Sequence, residues 1–226
     1  MFQYLGVLPN LVNLNQIFKT QKSLSQSKNT FLFYSIMENI PSQKRCHWVN
    51  DDPIYIDYHD QEWGVPLHDD DKLFEFLLLE GFQAGLSWIT ILRKRDNFRK
   101  AFDNFKALKI VKYDEQKVEE LMQNAGIIRN RLKIMGSITN ARLFLEIQRE
   151  FGSFDKYIWQ FTNGQVIVNQ WDSHNKIPVS TSLSDAMSKD LRKRGFKFIG
   201  TTICYAFMQA TGMVNDHLIN CISYKQ

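Results

Sequence analysis

Two short pairs of soft metal-ligand residues stand far apart in this chain: Cys46 with His59, and His217 with Cys221. The second pair, H-x-x-x-C in VNDHLINC, has i, i+4 spacing, so on a helix both side chains would share one face. Two thiolates and two imidazoles make a closed, tetrahedral zinc site of the structural kind. If these four residues share one ion, the fold must close on itself across the 157 residues between His59 and His217. The order C-x12-H…H-x3-C does not reproduce the usual zinc-finger spacings, and Cys is among the most buried residue types. Spacing alone therefore leaves core packing and metal ligation both open.

A chain of 226 residues can bury one sizeable core or two packed subdomains. Five Trp and 17 Phe point to large, stiff core residues and to stacking surfaces. Three cysteines are too few for a disulfide framework and favour a reducing compartment. The third, Cys204 in TTICYAFMQ, reads as core. No run of 18 apolar residues occurs, so no membrane span is expected. Net charge is +4, but the first 36 residues hold Lys19, Lys22 and Lys28 and no acid, which leaves the remainder almost neutral. Net charge does not advertise a nucleic-acid partner; local patches must carry that claim.

Those first 36 residues are rich in Asn, Gln, Ser, Leu and Phe and lack helical periodicity. They fit neither a secretory signal nor a transit peptide. Residues 1–43 are read as a disordered or non-native extension, with Met37 as a plausible translation start, and residues 44–226 as the domain. The domain pattern is helical. Asp69 to Asp71 precede the apolar run KLFEFLLLEGFQAG, and Ser87 begins SWITILRKRDNFRKAF, apolar early and basic late. Asp114 is a candidate N-cap for EQKVEELMQNAG, with Gly126 as its stop. NRLKIMGSITNARLFLEIQREFG ends at Gly152, Ser153 caps a short helix, and Asn163-Gly164 forms a turn. Ser182 to Asp185 fit a capping box, Gly195 closes that helix, and TTICYAFMQATG follows as another. VIVN at 166–169 is the one tempting strand. The expected fold class is all-α.

Three patches could carry chemistry. The stretch GIIRNRLK joins two helices through a tight hairpin, where a helix N-terminus flanked by Arg129, Arg131 and Lys133 could hold a phosphate. The run Lys189, Arg192, Lys193, Arg194 and Lys197 is either a solvated face or a grip on a nucleic-acid backbone. Trp48, Tyr55, Tyr58, Trp63 and Trp88 crowd the start of the domain, with Tyr55, Tyr58 and His59 on one helical face. Aromatic walls stack on nucleobases or fill a core; a carboxylate among them, Glu80, is what would discriminate. Spacing cannot say whether Glu80 is buried.

The segments CHWVNDDPIYIDYHDQEWGVP, FLLLEGFQAGLSWITILRKR, NAGIIRNRLKI and SDAMSKDLRKRGFKFIGTTICYAFMQATGMVNDH, with Cys221, resemble the DNA-3-methyladenine glycosylase I family over about residues 44 to 224. The resemblance implies an all-α helix-hairpin-helix glycosylase fold whose terminal segments are joined by one structural zinc. It implies Cys46, His59, His217 and Cys221 as the ligands of that zinc. It implies a base pocket of Trp48, Tyr55, Tyr58 and Trp88, with Glu80 for base recognition or catalysis. DNA contacts would come from the hairpin, through Gly126, Ile127, Arg129 and Arg131, and from Leu86 wedging beside the flipped nucleotide. The implied activity is monofunctional hydrolysis of the N-glycosidic bond of 3-methyladenine by base flipping, leaving an abasic site. The implied partner is double-stranded DNA containing alkylated adenine. The enzyme would be a monomer in a bacterial-type cytoplasm, with no membrane. Many helix-hairpin-helix glycosylases carry an Asp shortly after the hairpin, but ITNARLFLEIQRE offers none, and Asp155 comes later.

Overall fold

The structure is a computed structural model that describes residues 44–83 and 85–224. The reading of residues 1–43 as an extension lies outside them. Helices dominate, as expected. They are α1 (Pro53–Gln61), α2 (Asp70–Gln83), α3 (Trp88–Ala101), the short α4 (Ala107–Ile110), α5 (Glu115–Gln123), α6 (Arg131–Phe151), α7 (Phe154–Trp159), α8 (Ser182–Arg194) and α9 (Thr201–Ala210). The VIVN segment contributes β1 (Ile167–Val168), which pairs in parallel with β2 (Val214–Asn215) over two residues.

Short polar residues set most helix starts by accepting from backbone amides that have no helical partner. Asp52 accepts from Ile54 N ahead of Pro53, Asp114 from Lys117 N, Asn130 from Lys133 N, and Ser153 from Lys156 N. The expected capping box before α8 is shifted by one residue: Thr181 is the N-cap, and its side chain and that of Ser184 serve each other's backbone amides. Gly152 and Gly195 close α6 and α8 in the left-handed conformation, at φ 86° and 104°. Gly126 does not stop α5. That helix ends at Gln123, and Gly126 lies beyond it in the hairpin, its amide taken by Asn124 Oδ1 at 2.8 Å.

Helix α2 is buried from Leu73 to Phe82 without interruption, as befits a helix covered on all sides. It packs against α3, α6, α7 and α9. Asp70 at its start also caps α7, accepting from the amides of Phe154 and Asp155 at 2.8 Å each. Helix α2, which carries Glu80, is thus held from several directions. At the other end of the chain, Gly212 (φ 67°) passes so close to the Val65–Pro66 backbone that a Cβ would lie 2.2 Å from the Val65 carbonyl carbon. Only glycine fits there, and the contact brings the segment after α9 against the turn after α1.

Candidate functional site

Cys46, His59, His217 and Cys221 converge: their ligand atoms all lie within 4.8 Å of one another, and all four residues are buried. The segments carrying them meet at a parallel bridge between Lys44 and Cys221, where Ile222 N donates to Lys44 O at 3.0 Å. No helix underlies H-x-x-x-C. His217 and Cys221 instead flank a turn closed by Cys221 N donating to Leu218 O at 2.8 Å, which still brings His217 Nδ1 to 3.5 Å from Cys221 Sγ. Each histidine is oriented by a group behind it. Asp60 pairs with His59 Nδ1 at 2.7 Å, and the Trp63 carbonyl meets His217 Nε2 at 2.9 Å. That leaves His59 Nε2 and His217 Nδ1 facing the two sulfurs, the arrangement by which outer groups set the tautomer of a metal-binding histidine. The Cys46 thiol and the two imidazoles push the Cys221 thiol far below its ordinary range, while hydrogen bonding to Cys221 and burial raise that of Cys46. Two sulfurs and two imidazole nitrogens at these separations fit one tetrahedral zinc with no open position.

The chain between the first two ligands builds a cavity wall. A cavity of about 340 Å³ is lined by Trp48, Tyr55, Tyr58, Trp63, Glu80 and Trp88, among others. Trp48 meets Tyr55 edge-on at 5.2 Å between ring centroids, and Tyr58 lies 5.6 Å from Trp88. The metal cluster abuts the same wall, with Trp48 5.3 Å from the His59 ring and Trp63 4.6 Å from that of His217. Glu80 is 2% exposed, and its Oε2 has no hydrogen-bond partner. Burial pushes its carboxyl up to about 8. Burial also raises the Tyr58 hydroxyl well above its ordinary range, so it stays protonated. Trp88 Nε1 is a second buried, unpaired polar atom of this cavity.

The basic residues are sorted by their partners. Arg131 is engaged by Glu115 and by Glu119, the latter at 2.6 Å, and so ties α6 to α5 rather than standing free. Lys133 is buried, with Nζ donating to the Phe82 carbonyl at 2.9 Å, so it faces the core and not a phosphate. Arg194 is likewise absorbed, by Glu150 and Asp190. Arg129 is exposed at the hairpin and makes no ion pair among the described residues. Ile127 is buried beneath it. Leu86 is 41% exposed in the turn between α2 and α3, which Gly85 enters at φ 86°. Asp155, the first aspartate after the hairpin in sequence, pairs with His68 at the surface and not with the cavity.

Gln83, Ser87, His174, Ile177, Ala206 and Gln209 also line the cavity, and sequence reasoning missed them. Gln209 could have been flagged as a polar residue in the apolar run of α9. His174 sits in an irregular turn with no periodicity to betray it.

The frame is mainly helical, α5 and α6 meet in a hairpin, and an aromatic cavity is lined by a buried carboxyl group, that of Glu80. Residues 48–224 match the methyladenine glycosylase family model. The chain is 55% identical over 181 residues to DNA-3-methyladenine glycosylase 1 of Escherichia coli K12, covering 80% of this chain and 97% of that one. It is 49% identical over 177 residues to DNA-3-methyladenine glycosylase of Haemophilus influenzae, covering 78% and 96%. A crystal structure of 3-methyladenine DNA glycosylase I matches with a TM-score of 0.79 at 54% identity, over 80% of this chain and all of that one. The Staphylococcus aureus enzyme, solved for the structural basis of 3-methyladenine recognition, matches with a TM-score of 0.79 at 34% identity, over 81% and 98%. The chain belongs to the methyladenine glycosylase family.

Proposed function

We propose that this protein releases 3-methyladenine from alkylated DNA by hydrolysing the N-glycosidic bond of a flipped nucleotide, leaving an abasic site. The observation that carries this reading is the buried carboxyl group of Glu80, its Oε2 without a partner, in the lining of an aromatic cavity. The E. coli and H. influenzae relatives, named for this activity, support it.

The selectivity follows from charge. Adenine methylated at N3 is a cation in DNA and already a good leaving group. Extruding it costs a few kcal/mol, less than for an intact pair. With no cation beside it, Glu80 is mostly protonated at neutral pH, because burial disfavours its anion. A cationic ring beside it reverses that balance, so the carboxylate forms and accepts from the adenine edge. Neutral adenine supplies no such compensation, while Trp48, Tyr58 and Trp88 add π faces that favour a cation. Glu80 acts mainly in base recognition.

One structural Zn2+ is held by Cys46, His59, His217 and Cys221 and steadies the wall carrying Trp48, Tyr55 and Tyr58. The substrate is double-stranded DNA, with Leu86 as the wedge, Arg129 as the hairpin's unpaired cation, and the Gly126–Ile127 turn set against a phosphate. The enzyme works as a monomer in the cytoplasm. Among the described residues no helix is long and apolar enough to cross a membrane.

Chromatography of bases released from methylated duplex DNA tests the proposal, with 3-methyladenine the expected product. Tight binding without release would make the protein a lesion binder. Equal rates on methylated nucleosides and on DNA would make it a nucleosidase.

A further inference from the structure

Gln209, in the last turn of α9, lines the same cavity as Glu80. Its Nε2 donates to Asp216 Oδ2 at 2.7 Å. Asp216 is fully buried, and its oxygens also accept from the Tyr205 hydroxyl at 2.6 Å and from Asn169 Nδ2 and Trp171 Nε1 at 2.7 Å each. Four donors from two parts of the chain converge on a group that, when ionised, only accepts. Turning the Gln209 amide over would set its oxygen against that carboxylate. The amide is therefore locked with its NH2 toward Asp216. No group among the described residues donates to its Oε1. The backbone is pinned as well, because Gln209 O accepts from Gly64 N at 2.9 Å and Gly212 N at 3.3 Å.

We infer that Gln209 is a specificity-determining residue whose Oε1 accepts an N–H from the exocyclic amine of the flipped base. The inference rests on the base-excision reading of this cavity. An adenine amine carries two hydrogens, and Glu80 and Gln209 provide two acceptors on the cavity wall. A methylated guanine carries a carbonyl oxygen at the same ring position, which would meet an acceptor that cannot rotate away. A site built to accept from a substrate N–H rejects an analogue lacking it, because buried polar atoms are then left unpaired. Asp216 is a positioning residue here: it touches no base and acts only through the orientation of Gln209.

The test compares wild type with Gln209→Met, which keeps the length of the side chain and removes the acceptor, and with Gln209→Asn, which keeps an amide but withdraws it. Methylated DNA containing both lesions is the substrate, and the initial rates of 3-methyladenine and 3-methylguanine release are measured together. Both variants are expected to lose about tenfold in 3-methyladenine release, the loss of one hydrogen bond, with 3-methylguanine release unchanged or raised. The ratio of the two rates then falls at least about tenfold. A ratio equal to wild type, whether the two rates drop together or not at all, overturns the assignment and leaves Gln209 a structural residue. Absence of base release by wild-type protein would instead sink the base-excision reading and this inference with it.

Discussion

A carboxylate that is 2% exposed, with one oxygen unpaired, is held at a free-energy cost that packing alone does not explain. Glu80 sits near 8 when folded, against an ordinary value of 4.5, so the folded state keeps a proton that the unfolded state has released. Its contribution is neutral below about pH 4.5 and grows more unfavourable up to about pH 8, reaching up to about 3 kcal/mol by pH 7. Glu80→Gln is therefore expected to raise the melting temperature at pH 7 to 8 and to flatten the fall in stability between pH 5 and 8. The same variant is expected to lose about 10- to 100-fold in 3-methyladenine release. Unfolding midpoints across that pH range, beside release assays, check both arms; an unchanged pH slope would mean Glu80 is not buried as described. The residue was recognisable as a candidate because a carboxylate follows FLLL and precedes Gly81. Its burial was not, because α9 and the aromatic wall that cover it are distant in sequence.

At the scale of elements, the helix starts and stops were largely legible, since capping is chemistry within four residues of the boundary. The exceptions are instructive. The segment H-x-x-x-C is a turn rather than a helix, because the bridge to Lys44 and a bond from Ile219 N to Trp171 O claim its backbone. At the hairpin, the pattern Arg129, Arg131, Lys133 suggested one basic patch, yet only Arg129 is left for a phosphate. Arg131 is drawn to Glu115 and Glu119, acids whose approach depends on how α5 folds back on α6. Arg129→Ala is expected to weaken binding to any duplex and to lower the slope of log affinity against log salt by about 1. Arg131→Ala is expected to change that slope by less and to cost under about 1 kcal/mol, its ion pairs being solvent-exposed. Fluorescence anisotropy with a labelled duplex at several salt concentrations separates the two; equal slopes for wild type and Arg129→Ala would remove Arg129 from the interface.

On the scale of the whole molecule, the four residues proposed to hold zinc close a loop that contains the lining of the cavity. Metal bound to the folded state alone adds its binding energy to stability, so its loss should be felt throughout the domain. Cys221→Ser is expected to reduce zinc from one ion per chain to substoichiometric levels and to lower the melting temperature by more than about 10 °C. Base release should fall in parallel, because Trp48 and Trp63 lean on His59 and His217. Elemental analysis finding no zinc in carefully purified wild-type protein would refute the metal assignment. Local rules sufficed for what depends on neighbours in sequence: helical class, caps and left-handed glycines. Packing decided the rest. Which carboxylate is buried without a partner, which arginine is already paired, and which way the Gln209 amide faces are set by contacts between residues from 7 to more than a hundred positions apart. Burial and pairing belong to the assembled surfaces, and no single stretch of chain carries them.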